Sequence, residues 1–230
     1  MKIYGLQKLT LADYPGRVAA TLFTGGCNLR CPFCHNASLV TKLAEVDPIP
    51  LEEVLSYLKK RSGILDGVCV SGGEPLLQGD ICELLEKLKS LGLSVKLDTN
   101  GTFPDKLEEI LSNGLCNYVA MDIKNAPEDY ALTVGIPGFD LTPVFKSAEL
   151  LKAGPVPFEF RTTVVSELHS DDSIERMASA FGGRQPWYLQ CFTDSGDIVS
   201  PGLSAPSRED MERYLAILRQ AAPNAALREM

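Results

Sequence analysis

Apolar residues recur along this chain at two spacings. Ile81, Leu84, Leu85, Leu88 and Leu91 are separated by three, one, three and three positions, which draws a single stripe along a helix. Leu51, Val54, Leu55 and Leu58 repeat that stripe. On this criterion helices are predicted over residues 51–61, 80–91, 105–111, 141–152, 171–181 and 208–220. Between them lie short apolar runs that stop at Gly, Asn or Asp. These predict strands over 17–23, 67–71, 94–98, 118–123, 158–165 and 187–190. The run Tyr118-Val119-Ala120-Met121 is continuously apolar rather than alternating, the mark of a strand covered on both faces.

Strands in alternation with helices imply parallel βα units joined by right-handed crossovers. An open doubly wound sheet and a barrel both satisfy that pattern. Six units are too few to close a barrel of eight. An incomplete (β/α)6 barrel of the TIM type, with parallel strands, fits both the count and the 230 residues. No repeat, low-complexity tract or linker divides the chain, so residues 1–230 are expected to form a single α/β domain. Function is expected at the carboxyl ends of the strands, where the loops begin.

Composition adds exclusions. Hydrophobic residues make up 45% of the chain, enough for a buried core. Lys and Arg number 22 against 30 Asp and Glu, a net charge of −8, with a pI of about 4.9. An acidic surface repels phosphate backbones, and the longest basic run is only Lys59-Lys60-Arg61, so no nucleic acid partner is expected. No apolar stretch reaches the roughly 18–20 residues of a membrane span, so no membrane association is expected. The first residues carry Lys2, Lys8 and Asp13 without the apolar centre of a secretion signal, and a cytoplasmic location is expected.

The cysteines divide into two groups. Cys69, Cys82, Cys116 and Cys191 stand apart in apolar or strand-like surroundings, where a thiol is usually a small core residue. Cys27, Cys31 and Cys34 instead share one loop directly after the first predicted strand, with the spacing Cys-x3-Cys-x2-Cys. Three thiolates there can meet at one metal centre, and soft thiolates select zinc, copper(I) or iron–sulfur clusters. Zinc normally takes a fourth ligand. His35 is the near candidate, but it directly follows Cys34, a poor position from which to close a tetrahedron. A 4Fe–4S cluster with one iron left open needs only three thiolates, and the open iron can take a chelating substrate.

Polar signatures mark the ends of the next strands. Ser71-Gly72-Gly73-Glu74-Pro75 closes the second. Two glycines let a backbone approach a ligand with no Cβ between them, and Glu74 or a neighbouring carbonyl can accept from an ammonium group. The plainer reading is a tight turn. Asp98-Thr99-Asn100-Gly101 ends the third strand and Met121-Asp122-Ile123-Lys124-Asn125 the fourth. Asp98 and Asp122 suit an ammonium, a ribose hydroxyl or a small cation, and Lys124 suits a carboxylate. The plainer reading is helix capping by Asp98, Asn100 or Asn125 and a solvated lysine. Arg161 sits in a strand of Thr and Val and needs an internal partner if it faces inward, an outward position being the equal alternative. Gln190, at the end of the sixth strand, is a weaker candidate of the same kind. His169 follows the fifth strand within reach of a ribose, although a surface loop is its expected place.

The loop Cys27–Cys34 resembles the defining motif of the radical S-adenosylmethionine (SAM) superfamily, with Phe33 in the aromatic position usual before the third cysteine. The resemblance implies one 4Fe–4S cluster on Cys27, Cys31 and Cys34, its open iron chelated by the amino and carboxylate groups of SAM. It implies that Phe33 approaches the adenine, that the Gly72-Gly73-Glu74 segment binds the SAM amino group, and that Asp98, Asn100, Asp122 and Lys124 contact SAM. The stretch from Ile3 to Gly16, with the Cys34-His35-Asn36 ending, is similar to the activating proteins of anaerobic ribonucleoside-triphosphate reductase. Activators of pyruvate formate-lyase share that ending. These resemblances imply an enzyme whose reduced cluster cleaves SAM to a 5′-deoxyadenosyl radical, which takes a glycine hydrogen from a partner protein. They also imply a low-potential electron donor such as flavodoxin or ferredoxin. No cysteine lies between Cys34 and Cys69, so the inserted ferredoxin-like region of some activators is absent and one cluster is expected. The resemblance runs from residue 3 to about residue 192 and is weak after Ser195.

Overall fold

The computed structural model describes residues 1–228. Its centre is one sheet of eight strands in simple sequential order. These are β1 (Ile3–Thr10), β2 (Ala19–Thr24), β3 (Gly67–Gly72), β4 (Ser94–Thr99), β5 (Tyr118–Asp122), β6 (Phe158–Val164), β7 (Trp187–Cys191) and β8 (Ala225–Arg228). β1 runs antiparallel to β2, and every later neighbouring pair is parallel. β1 and β8 are the two edges and do not pair with each other, so the sheet forms a partial TIM-type barrel rather than a closed one. The helices are α1 (Ala37–Thr41), α2 (Leu51–Lys60), α3 (Ile81–Ser90), α4 (Pro104–Ser112), α5 (Tyr130–Thr133), α6 (Thr142–Ala153), α7 (Asp171–Phe181) and α8 (Arg208–Leu218). Among the described residues none is long and apolar enough to cross a membrane.

The strands predicted from apolar runs are β2 to β7, each within two residues of its expected ends. The predicted six-strand count was short by two. β1 is an edge strand with three exposed residues in a row, Gln7 to Leu9, so it lacks an apolar signature of its own. It is held by pairing with β2, and the ring of Phe23 lies against Gly5 where a Cβ would stand. β8 is four residues long, below the length at which periodicity can be read. The same limit hid α1 and α5.

Alternation along the strands sorts the side chains into two layers. In β4, Val95 and Leu97 join the apolar core together with Leu84, Leu85 and Leu88 of α3. Each such leucine contributes roughly 1.5–3 kcal/mol by leaving water. Lys96 and Asp98 alternate with them and point to the opposite side, the barrel interior. That interior is largely polar. At its amino-terminal end the Tyr14 hydroxyl bonds Ser94 Oγ at 2.7 Å, and Tyr118 donates to Glu159 Oε2 at 2.9 Å. Arg228 clamps Glu159 with two bonds of 2.9 and 2.8 Å. The carboxyl end is left open for a site.

Candidate active site

A cavity of about 240 Å³ lies at the carboxyl ends of β2 to β7. Cys27, Cys31, Phe33, Cys34, Gly72, Gly73, Glu74, Asp98, Asn100, Asp122 and Lys124 all line it, and so do Arg161 and Gln190. The residues singled out along the sequence are therefore brought together, because successive parallel strands deliver their ends to one rim.

The cysteine loop leaves β2 and folds on itself. The Arg30 guanidinium donates to the carbonyls of Cys27 and Leu29 at 2.6 and 2.7 Å, and the Cys34 amide donates to Cys31 O at 3.1 Å. The Arg30 amide bonds Val134 O at 2.9 Å, fastening the loop to the segment after α5. Burial pushes the thiols up, Cys27 to about 11 and Cys31 to about 12, with Cys34 raised as well. Lys124 pulls all three the other way without prevailing. Left alone, these thiols keep their protons at neutral pH, so thiolates here require a metal centre to hold them.

Among the described residues no three His, Cys, Asp or Glu side chains close around a single ion. His35 does not complete a tetrahedron: its Nε2 bonds Thr193 O at 3.0 Å and its ring stacks on Phe192. Three thiols on one cavity wall, without a fourth ligand, fit a 4Fe–4S cluster, an object several atoms across, better than one zinc ion.

The glycines of the second signature line the cavity and also let the chain pack against itself. A Cβ on Gly73 would stand 1.9 Å from Gly26 O, and one on Gly72, whose φ is +125°, would stand 2.3 Å from Thr24 N. The segment is pressed against the start of the cysteine loop and bonded to it through Gly73 N to Thr24 O and Glu74 N to Gly26 O, at 3.0 and 2.8 Å. Glu74 lines the cavity and is also tied to the chain. Its carboxylate already accepts from Leu76 N, Thr99 Oγ1 and Asn100 N at 3.0, 2.9 and 2.7 Å. Burial raises it to about 7 against the pull of those donors. Asn100 ties the same wall to the loop: its Nδ2 bonds Asn28 Oδ1 at 3.0 Å and approaches Cys27 Sγ at 3.7 Å.

Opposite the thiols, β4, β5 and β6 carry a ladder of charges. Lys96 bonds Asp98, Asp98 bonds Arg161 at 3.1 Å, Arg161 bonds Asp122 at 2.9 Å, and Asp122 bonds Lys124 at 2.8 Å. Burial opposes the charge on both carboxylates. Arg161 with Lys96 nevertheless holds Asp98 low, and Arg161 with Lys124 holds Asp122 low. Burial likewise opposes the charge on Lys124, and Asp122 outweighs it and keeps Lys124 protonated. Three cations to two carboxylates leave one surplus positive charge, and Lys124 presents it over the Phe33 ring, 5.9 Å from its centre.

Several plain readings of the sequence do not survive. Arg161 faces inward. Lys124 is paired, not solvated. Phe103 and Asp129 stand at the capping positions of α4 and α5, with no side-chain cap, so Asp98, Asn100 and Asn125 cap neither. Asn125 is buried and binds Thr133 Oγ1 and Leu168 O. His169 is buried, not on a surface loop. Its Nδ1 accepts from Val165 N, so its Nε2 carries the proton donated to Lys124 O at 3.0 Å. Burial lowers its pKa and keeps it neutral. Cys69 and Cys116 are buried, while Cys82 and Cys191 are partly exposed.

Sequence reasoning missed Lys96 and Asp197. The first had a signal, a lysine two positions before Asp98 on the same strand face. Asp197 had none, since it lies in a stretch of Gly, Ser and Asp that reads as solvent loop.

A family model described as the Radical SAM superfamily matches residues 21–180. A protein of Methanocaldococcus jannaschii, provisionally named a glycyl-radical enzyme activating enzyme, is 31% identical over 98% of this chain and 95% of its own length. The pyruvate formate-lyase-activating enzyme of Clostridium pasteurianum is 33% identical over 56% of this chain and 54% of its own length. The crystal structure of a domain of pyruvate-formate lyase-activating enzyme from Bacteroides vulgatus superposes with a TM-score of 0.57 at 18% identity. It covers 71% of this chain and 99% of that one, a likeness of fold.

Proposed function

The chain belongs to the radical SAM superfamily, whose enzymes use a 4Fe–4S cluster and SAM, and we propose that it is an activating enzyme that generates a glycyl radical on a partner protein. Anaerobic ribonucleoside-triphosphate reductase is the partner favoured by the stretch from Ile3 to Gly16 and the Cys34-His35-Asn36 ending. The observation that carries the reading is the meeting of three thiols and a surplus-positive ladder on one cavity at the strand ends. It is supported by the relative that matches nearly the whole chain.

In this reading Cys27, Cys31 and Cys34 would hold the cluster as thiolates, and SAM would bind beside it in the same cavity. Lys124 faces the SAM carboxylate with the ladder's spare charge. Phe33 supplies the apolar surface beneath it, toward the adenine. Asp98 and Asp122, already paired, orient Arg161 and Lys124, and Glu74 with Asn100 keeps the neighbouring wall in register. When bound, the cluster supplies one electron and SAM supplies the 5′-deoxyadenosyl radical that removes a hydrogen from the substrate. The chain's own part is to bind, orient and exclude water. The chain acts as one domain, and its electron comes from a low-potential flavodoxin or ferredoxin.

A second reading, activation of pyruvate formate-lyase, is favoured by the relatives of that name, which match a little over half of the chain. The test is anaerobic reconstitution with iron and sulfide, reduction, addition of SAM, and assay of 5′-deoxyadenosine against Cys31→Ala. Product that depends on Cys31 supports the radical SAM chemistry. A glycyl radical signal on a purified reductase, and none on pyruvate formate-lyase, decides the partner. The reverse pattern overturns the first choice.

A further inference from the structure

Residues 192–207, between β7 and α8, form neither helix nor strand, yet they are fastened across the cysteine loop. Thr193 O bonds His35 Nε2 at 3.0 Å, and the Ser200 amide donates to Pro32 O at 3.0 Å. Asp197 makes the densest contact. Its carboxylate accepts from the Ser38 amide at 3.1 Å and from Ser38 Oγ at 2.7 Å, and its carbonyl accepts from the Ala37 amide at 3.3 Å. At its far end the segment is anchored again, where the Ser204 amide donates to Glu167 Oε2 at 2.9 Å.

Ala37 and Ser38 open α1, the five-residue helix three positions after Cys34. The first amides of a helix have no partner within it. Asn36, which stands at the capping position, makes no capping bond, and its side-chain Nδ2 donates to Gly72 O at 3.2 Å. The missing acceptor comes from Asp197, 159 residues away in the chain. A five-residue helix has almost no stability of its own. Its start, and with it the trailing end of the cysteine loop, therefore depends on that carboxylate. The same bonds fix that negative charge at the start of the helix that follows Cys34 by three positions.

We propose that Asp197 is a positioning residue for the cysteine loop: its carboxylate holds the end that carries Cys34, and its charge lowers the reduction potential of a cluster bound there. Adding an electron beside a fixed carboxylate is unfavourable, so the oxidised cluster is preferred and the electron it does accept is more strongly reducing. The charge half of the inference rests on Cys27, Cys31 and Cys34 as the cluster ligands. The anchoring half does not.

The experiment compares the wild type with Asp197→Asn, which keeps one acceptor oxygen and loses the charge, and Asp197→Ala, which loses both. Amide hydrogen exchange on the apo-proteins is read over residues 32–41, and the reconstituted proteins are titrated redox-wise by electron paramagnetic resonance. Asp197→Ala is expected to speed exchange in that segment by about tenfold or more, the loss of a cap. Asp197→Asn is expected to exchange nearly as the wild type while its reduced-to-oxidised ratio at a fixed potential rises about three- to tenfold. Wild-type exchange in Asp197→Ala overturns the anchoring, and a wild-type ratio in Asp197→Asn overturns the charge effect. If Asp197→Ala does not fold, Asp197→Ser takes its place in the exchange arm. A wild-type protein that takes up no iron and sulfide sinks the ligand reading and the charge effect together, while exchange still decides the anchoring.

Discussion

The two walls of the cavity are built in opposite ways. The charged wall stands on β4, β5 and β6, and its members satisfy one another through the ladder from Lys96 to Lys124. The thiol wall is a loop whose three thiol groups are not bonded to one another. Arg30 braces its carbonyls from within, and it is held from outside by Val134, by the glycine turn after β3 and by the segment around Asp197. Strands can carry groups that are costly to bury, because the sheet keeps each charge beside its partner. A loop must keep its groups free for a ligand, so its shape has to be imposed by neighbours. Damage to the first wall should therefore appear as lost stability, and damage to the second as lost ligand with the fold intact.

The largest expected effect tests the charged wall. Arg161→Met leaves Asp98 and Asp122 buried with one cation fewer each, and should cost about 3–5 kcal/mol of unfolding free energy, measured by urea titration of the apo-protein. A cost under about 1 kcal/mol would mean that the ladder does not act as a unit.

The next test lies at the seam between the walls. Glu74 is raised to about 7 by burial, above its unfolded value, so its contribution to stability is fully present below about pH 4.5 and is lost as pH rises through 7. Relative to Glu74→Gln, the wild type should lose about 3 kcal/mol across that window. Parallel stability curves for the two proteins would show that the donors around Glu74 offset its burial.

A smaller effect is expected where the ladder meets the ligand. Lys124→Ala should weaken SAM binding by about ten- to thirtyfold, the scale of one charge-assisted hydrogen bond, and leave the cluster spectrum unchanged. Equal affinity by calorimetry would remove Lys124 from the ligand's path. Smallest in stability is the thiol wall itself. Cys31→Ala should cost only about 1 kcal/mol in the apo-protein while abolishing iron and sulfide uptake. A large loss of stability with iron retained would reverse the comparison.

Much of both walls was legible along the chain. The thiols could be read because their spacing is local, and Asp98, Asp122 and Lys124 because each lies at or just past the end of a strand. What each group bonds was not legible. Glu74 looked like a free acceptor and already takes three bonds from the chain, and a Cβ on Gly72 or Gly73 would meet the chain's own backbone at Thr24 or Gly26. His169 looked like a surface residue and is buried beneath Lys124 O. β1 and β8 escaped because an exposed edge strand and a four-residue strand carry too few apolar positions to show a period.

The sequence by itself determined the alternation of strands and helices, the loop that carries the three thiols, and the set of residues that parallel strand ends would deliver to one rim. These depend on contacts within a few residues or on a period that repeats along an element. Only the tertiary structure decided that Lys96, Asp98, Arg161, Asp122 and Lys124 form one chain of charges, and that Asp197 completes a helix beside Cys34. Those pairings join residues up to 159 positions apart. Their cause is the desolvation of each charge and each unpaired amide when strands and loops close on one another, a cost that is felt only once the chain has folded.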